Sequence, residues 1–232
     1  MAQQKKKQTV LIVAVSIFIV LAVLVAMVPL FLNMLGSGVK TGGIDDSALR
    51  EATTEVDGEW TVSNRPSANR SAAGFTFNEV LPGERRETSG STQGVSGHVT
   101  IADSTVTAGE IVVDMTNITT DSDVRDNNVR NKIFHTDKFP ESTFALTQPA
   151  DISSVGGNGT VSQIELTGDM TIHGETRSIT HTFDVARSGD NLVIAGNVPI
   201  NRLDYGVETP ELVAAKIAEE GEINIRLNLT KE

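Results

Sequence analysis

The chain has 232 residues, with 19 Lys and Arg against 30 Asp and Glu, a formal charge of −11 and no cysteine. The absence of Cys excludes disulfides, thiol catalysis, Cys-ligated metal centres and a lipid-modified Cys anchor. The acidic balance argues against nucleic-acid binding, which relies on Lys and Arg to neutralise phosphates, and is read as favouring solubility and repulsion from anionic surfaces.

Residues 1–9 carry Lys5, Lys6 and Lys7, and Val10–Leu32 follow as a 23-residue uncharged run interrupted only by Ser16 and Pro29. At 1.5 Å per residue such a run spans about 34 Å, enough for a hydrocarbon core of ~30 Å. We expect residues 10–35 to be a transmembrane anchor. Lysines are retained on the cytoplasmic side, so the N-terminus lies inside and the bulk of the chain is extracytoplasmic, at the cell membrane. A cleavable signal peptide is the competing reading, but its apolar region is usually shorter and Ala22 and Ala26 offer no clean small-x-small site.

Residues 36–57 read as a flexible linker: Gly36, Gly38, Gly42 and Gly43 interrupt it, while Asp45, Asp46, Glu51 and Glu55 keep it solvated. From residue 58 to 232 the apolar period is mainly two. Ile223, Ile225, Leu227 and Leu229 share one parity, as do Ile164, Leu166, Met170 and Ile172, and His181, Phe183 and Val185. The same parity groups Phe75 with Phe77, and Ile111 with Val113 and Met115. Such one-sided strands suit an antiparallel sheet. Turn markers at Pro82-Gly83, Ala108-Gly109, Gly156–Gly159, Gly174 and Ser188–Asp190 separate about eight runs, and closure into a barrel removes exposed edges. Two segments read as helix. Thr120–His135 opens on a Thr120/Asp123 capping box and is stopped by Pro140, and Thr209–Gly221 has Pro210 at its first position and Gly221 at its exit. The polar stretch Glu84–Ser96 reads as a surface loop.

Chemistry-bearing motifs are sparse. There is no Gly-x-Ser-x-Gly elbow, no phosphate loop and no Gly-x-Gly-x-x-Gly turn. The histidines His98, His135, His173 and His181 do not fall at metal-ligand spacing, although His173 and His181 flank one turn and could meet across a hairpin. No metal, cofactor or catalytic residue is expected.

Two blocks carry a family resemblance. The first is RDNNVRNKIFHTDKFPESTF, Arg125–Phe144, with its Arg-Asp pair and its Phe139-Pro140 close. The second is GDMTIHGETRSIT, Gly168–Thr180. With Trp60 and Val62, Gly74-Phe75, and Arg202-x-Asp204-Tyr205-Gly206, all in order, the chain resembles the YceI-like family of secreted, lipocalin-like barrels that bind polyisoprenoid lipids. The resemblance implies an eight-stranded antiparallel β-barrel, all-β with minor helices, behind one transmembrane helix. It implies a non-enzymatic, membrane-tethered protein that holds an isoprenoid lipid, of quinone or polyprenyl type, for storage, transport or protection. The alternative is a surface interaction or adhesion module with a packed barrel and Glu84–Ser96 as its binding loop.

Under the lipid reading, the expected cavity lining is Phe75, Phe77, Ile111, Val113, Met115, Phe144, Leu166, Met170 and Phe183. Arg125, Arg177 and Arg202 are candidate head-group contacts, because the planar guanidinium donates several hydrogen bonds to a pyrophosphate or quinone carbonyl. Arg125 with Asp126 has a second reading as a structural pair docking the helix on the barrel mouth.

Overall fold

Strand parity closes a wall. The computed structural model describes residues 39–81, 84–209 and 216–231, so the expected anchor at 10–35 and the Pro82-Gly83 turn lie outside the described residues. Among the described residues, no helix is long and apolar enough to cross a membrane. The strands are β1 (Gly58–Val62), β2 (Ala72–Leu81), β3 (Glu84–Thr92), β4 (Val95–Ala102), β5 (Thr105–Asp114), β6 (Glu141–Leu146), β7 (Ala150–Asp151), β8 (Ser162–Ile172), β9 (Glu175–Ser188), β10 (Asn191–Asn201) and β11 (Lys216–Lys231).

All pairings among these strands are antiparallel. β1 and β2 lie end to end along one flank of β11, pairing with residues 229–231 and 216–226 respectively. β4 and β3 lie end to end on their other flank. These two composite strands, with β5, β6, β8, β9, β10 and β11, form an eight-stranded barrel closed by the β1–β11 pairing, and the short β7 pairs outside it with β5. Closure joins the first and last barrel strands, although β9 pairs with β10 only through residues 184–188 and the other flank of β3 carries only the isolated Ser91–Thr119 bridge among the described residues.

The inward parity is occupied by apolar side chains. Ile164, Leu166, Met170 and Ile172 are buried from β8, and Phe183 and Val185 from β9. The interior has room for phenylalanine rings because each lies on a glycine of a neighbouring strand. A Cβ on Gly90 would fall 2.7 Å from the Phe75 ring, on Gly221 2.3 Å from Phe77, on Gly168 2.4 Å from Phe144, and on Gly196 2.6 Å from Phe183. Trp60, Ile101, Val185 and Leu229 are almost fully buried near one end, and the Trp60 indole donates to the Val56 carbonyl at 2.8 Å.

The ends differ. The Trp60 end carries the tight β4–β5 and β9–β10 turns. Asp103 and Ser104, at φ 52° and 55°, make the first, and the Asp57 carboxylate accepts from both their amides at 3.1 and 2.9 Å. The other end, the mouth, carries the β2–β3 and β8–β9 hairpins and the two long connections, β5–β6 and β10–β11.

Part of the segment expected to be a flexible linker is bonded to the outside of the barrel, running from the mouth to the Trp60 end. Lys40 pairs with Glu87 and Glu222 at 3.6 and 3.7 Å, and the buried Thr41 hydroxyl bonds Ser91 at 2.6 Å. Farther along, the amide of Asp45 donates to Asn69 at 2.7 Å and that of Ala52 to the Gly157 carbonyl at 2.7 Å. This strap explains a second departure. Glu84–Ser96, expected as a loop, is mostly β3, and it lacks apolar alternation because Ser89 and Ser91 are buried in hydrogen-bonded contacts with Thr76 and Thr41 rather than in the barrel interior.

The first expected helix exists as α1 (Asp123–Asn128) followed by a π-helical turn, Val129–Ile133, in which the Phe134 amide donates to the Val129 carbonyl at 2.9 Å. Its cap is Ser122 rather than Thr120, because Thr120 is taken by Asp126. The second is corrected where it is described: Lys216–Gly221 belong to β11, and residues 210–215 lie outside the described residues. Pairing of Glu220 with Asn201 and of Lys216 with Val80 overrides a local helix preference.

Candidate functional site: an apolar chamber at the barrel mouth

A cavity of about 390 Å³ opens at the mouth, within the range of roughly 300–1,000 Å³ of small-molecule sites. Its apolar wall is Phe75 and Phe77 from β2, Ile172 from β8, Ile200 from β10, Ile223 from β11, and Phe134 after the π turn. The ring centroids of Phe75 and Phe134 are 5.5 Å apart and those of Phe75 and Phe77 6.2 Å. The π turn inserts one extra residue, which lets Val129 and Phe134 both be buried while α1 spans the opening.

Deeper in the barrel lie two smaller hollows of about 70 Å³ each, lined almost wholly by apolar atoms. Phe75, Phe134, Ile172 and Ile223 border both the chamber and the first hollow; Ile111, Phe144 and Met170 border both hollows. The apolar space is a chain of hollows separated by side chains.

The rim is polar. Glu79 and Thr88 bond each other at 2.9 Å across the β2–β3 hairpin, and Arg125, Asn128, Lys132, Arg202 and Thr209 complete it. Arg202 is buried, and its guanidinium donates to the carbonyls of Val207 at 2.6 Å, Ala218 at 3.1 Å and Ile217 at 3.5 Å. The β2–β11 ladder is irregular between Ile217 and Gly221, and Arg202 supplies donors to carbonyls there. Burial pushes the Tyr205 phenol up, so this wall residue stays neutral.

Of the nine expected lining residues, Phe75 and Phe77 face the chamber. Val113 and Met115 line the first hollow, Leu166 and Phe183 the second, and Ile111, Phe144 and Met170 both. Arg125 and Arg202 reach the rim, but Arg177 does not; it is exposed on β9, 3.9 Å from Glu175. Arg125 does not pair with Asp126. It pairs with Asp121, which also binds Arg86, whereas the buried Asp126 accepts from the Thr120 amide and hydroxyl, both at 2.6 Å. The pair sits in a partly exposed network, so Arg125→Ala should cost no more than about 1 kcal/mol, read as a small drop in Tm. Asp126→Ala, which leaves buried donors unpaired, should cost more.

Ile172 shared a parity with the expected lining residues Leu166 and Met170, and Ile223 with Ile225, Leu227 and Leu229, so the grouping of each was legible. Val207, Asn128 and Lys132 carried no signal, because the connections between strands bring them to the mouth, whereas Ile200 alternates with Pro199 and shares the buried parity of Val198 on β10.

His173 does not meet His181. It turns the β8–β9 hairpin at φ 54°, with Gly174 at φ 82°, and its ring lies 4.4 Å from Phe139 and 5.8 Å from His135. His181 packs edge-on to Phe183 instead. Burial and then the neighbouring His135 push the His173 imidazole below its ordinary value of 6.5. The unfolded chain therefore binds its proton more readily, so the stabilisation is present above pH 6.5 and is lost as pH falls below it. Tm should fall from about pH 7.5 to about pH 5. The fall should be shallower in His173→Asn, which tolerates the left-handed turn and does not titrate.

The fold and site together define an all-β protein, a closed eight-stranded antiparallel barrel with an apolar chamber under a helix and a polar rim. The YceI-like domain model matches residues 50–229, and the chain belongs to that family, one of binding proteins rather than enzymes. Its fold is similar to BcnA of Burkholderia cenocepacia, at 18% identity over 68% of this chain and 94% of that one, with a TM-score of 0.55. It is also similar to a polyisoprenoid binding domain of Saccharophagus degradans implicated in plant cell wall breakdown, at 17% identity over 75% and 98%, with a TM-score of 0.58. No curated protein sequence matches the chain.

Proposed function

We propose that this protein holds an isoprenoid lipid, of quinone or polyprenyl type, with its tail in the chamber and its head at the polar rim, and stores, carries or protects it at the outer face of the cytoplasmic membrane. The observation that carries this reading is the chamber of about 390 Å³ continued inward by hollows lined almost entirely by apolar atoms. A tail placed there is removed from water at about 0.8 kcal/mol per CH₂. The branched, unsaturated shape of an isoprenoid suits a wall of Ile and Phe, and the polyisoprenoid binding of the Saccharophagus relative supports the same class. At the rim, Arg125 and Lys132 offer donors to a phosphate or a quinone carbonyl, whereas each nitrogen of the buried Arg202 already donates to a backbone carbonyl.

The tether is supported by the uncharged run Val10–Leu32 behind Lys5–Lys7. The barrel then lies outside, and protease added to intact protoplasts should remove it; survival until lysis would reverse the orientation. For the ligand, the test is organic extraction of the purified full-length protein with mass spectrometry of the extract. An isoprenoid lipid near one per chain is expected, and protein that never carries one, even after incubation with a quinone, would overturn the reading.

A further inference from the structure

We propose that Phe134, packed on Phe75, is the floor of the chamber and sets the length of tail it accepts, so that the site selects isoprenoids with a short tail of a few prenyl units over long-chain polyprenyl lipids; this rests on the lipid reading above and narrows it.

The first observation is one of size. The apolar space falls from about 390 Å³ in the chamber to about 70 Å³ in each hollow beneath it. Counting about 30 Å³ per non-hydrogen atom, the share of a water in its liquid, the chamber holds on the order of a dozen atoms and each hollow about two. The chamber is thus on the scale of a short prenyl tail, whereas a hollow is smaller than one prenyl unit. Among the described residues, Phe75, Phe134, Ile172 and Ile223 border both the chamber and the first hollow. The rings of Phe75 and Phe134, with centroids 5.5 Å apart and tilted by 54°, stand between the two spaces.

The second observation is that this floor is held in place. The Phe75 ring rests on Gly90, where a Cβ would fall 2.7 Å from it. Phe134 belongs to the β5–β6 connection, yet the backbone on both sides of it is bonded. Its own amide donates to the Val129 carbonyl at 2.9 Å and the Thr136 amide to the Arg130 carbonyl at 2.9 Å. The Lys138 and Phe139 amides donate to the His135 carbonyl at 2.8 and 2.9 Å, and the Arg130 guanidinium to the Ile118 carbonyl at 3.3 Å. Moving Phe134 aside therefore breaks a bonded turn, and the hollow below is too small to take its ring.

A long tail entering from the mouth is stopped at Phe134, and its remaining units stay in water or crowd a chamber already filled. A short tail is buried whole. Selection comes from that difference, an exclusion built by four side chains rather than an attraction.

The test is a competition. Full-length protein purified in detergent is incubated with equal amounts of a quinone bearing two prenyl units and one bearing eight, freed of unbound lipid, extracted and analysed by mass spectrometry. Phe134→Ala opens the floor, and Ile223→Ala widens it at a partly buried position whose truncation disturbs the fold less. Melting curves identify the folded variants, and the common detergent cancels when their retained ratios are compared with that of the unmodified protein. Several-fold retention of the short-tailed quinone over the long one is expected, with the ratio shifting several-fold toward the long tail in Phe134→Ala. Equal retention of both by the unmodified protein overturns the selection. An unchanged ratio in folded Phe134→Ala, or in Ile223→Ala should Phe134→Ala not fold, overturns the floor. Retention of neither quinone by the unmodified protein overturns the lipid reading itself, and the selection with it.

Discussion

Replacing Ile223 with Trp should empty the barrel of lipid while leaving it folded. Ile223 is only partly buried in a wall whose other side is the chamber, so the indole enters existing space of about 390 Å³ and displaces ligand rather than protein. The expected readout is loss of co-purified isoprenoid with little change in Tm. Met170→Trp and Phe183→Trp supply the contrast. Both residues are buried against hollows of about 70 Å³, and Phe183 is already pressed on Gly196, so overpacking there should cost about 1–3 kcal/mol. For a domain of this size that lowers Tm by roughly 2–12 °C. If Ile223→Trp unfolds the protein as readily as Phe183→Trp does, the chamber is a filled core in solution and the lipid reading fails.

Arg202→Met should be the more damaging change at the rim. The methionine replaces the aliphatic stem but leaves the carbonyls of Val207, Ile217 and Ala218 without their donor. Hydrogen bonds from a charged group to partly buried acceptors put the loss at about 2–4 kcal/mol, or roughly 5–15 °C in Tm. The effect should far exceed that of Arg125→Ala, although both arginines line the same cavity. Similar Tm values for the two variants would mean that Arg202 does not hold the β10–β11 connection in place. Arg202→Lys, which keeps the charge but not the fork, should recover only part of the stability.

The two arginines show where reading a sequence stops. A guanidinium is long enough to reach many partners, and Arg125 beside Asp126 in the chain suggested a pair. In the fold Asp126 turns inward to Thr120 while Arg125 reaches back one helical turn to Asp121. Adjacent residues on a helix point in different directions, so their proximity in the chain decided nothing. The same limit applies to β11. Residues 216–220 look helical because Ala and Glu favour helix by fractions of a kcal/mol. Ladder pairing with β10 and β2, set by residues far away in the chain, outweighs that preference.

Facing is legible in the chain alone. Alternation along a strand is imposed by the covalent geometry of each residue, so Phe75 with Phe77, Leu166 with Met170, and Phe183 with Val185 were grouped correctly before any pairing was known. The turns at Gly174 and Gly189 are likewise local, whereas the cap expected at Thr120 falls on Ser122 and the turn expected at Ala108-Gly109 lies inside β5. Which inward residues border open space is set by the closed barrel. A cavity is a place where side chains from distant strands fail to meet, and that depends on every ring and every glycine around the wall at once. Phe77 lies against the chamber and Phe183 against a narrow hollow, although both occupy inward positions on neighbouring glycines. The strap was hidden for a related reason: its polar, glycine-rich residues have the composition of a free linker, and they are held by single hydrogen bonds to a wall that exists only once the barrel has closed.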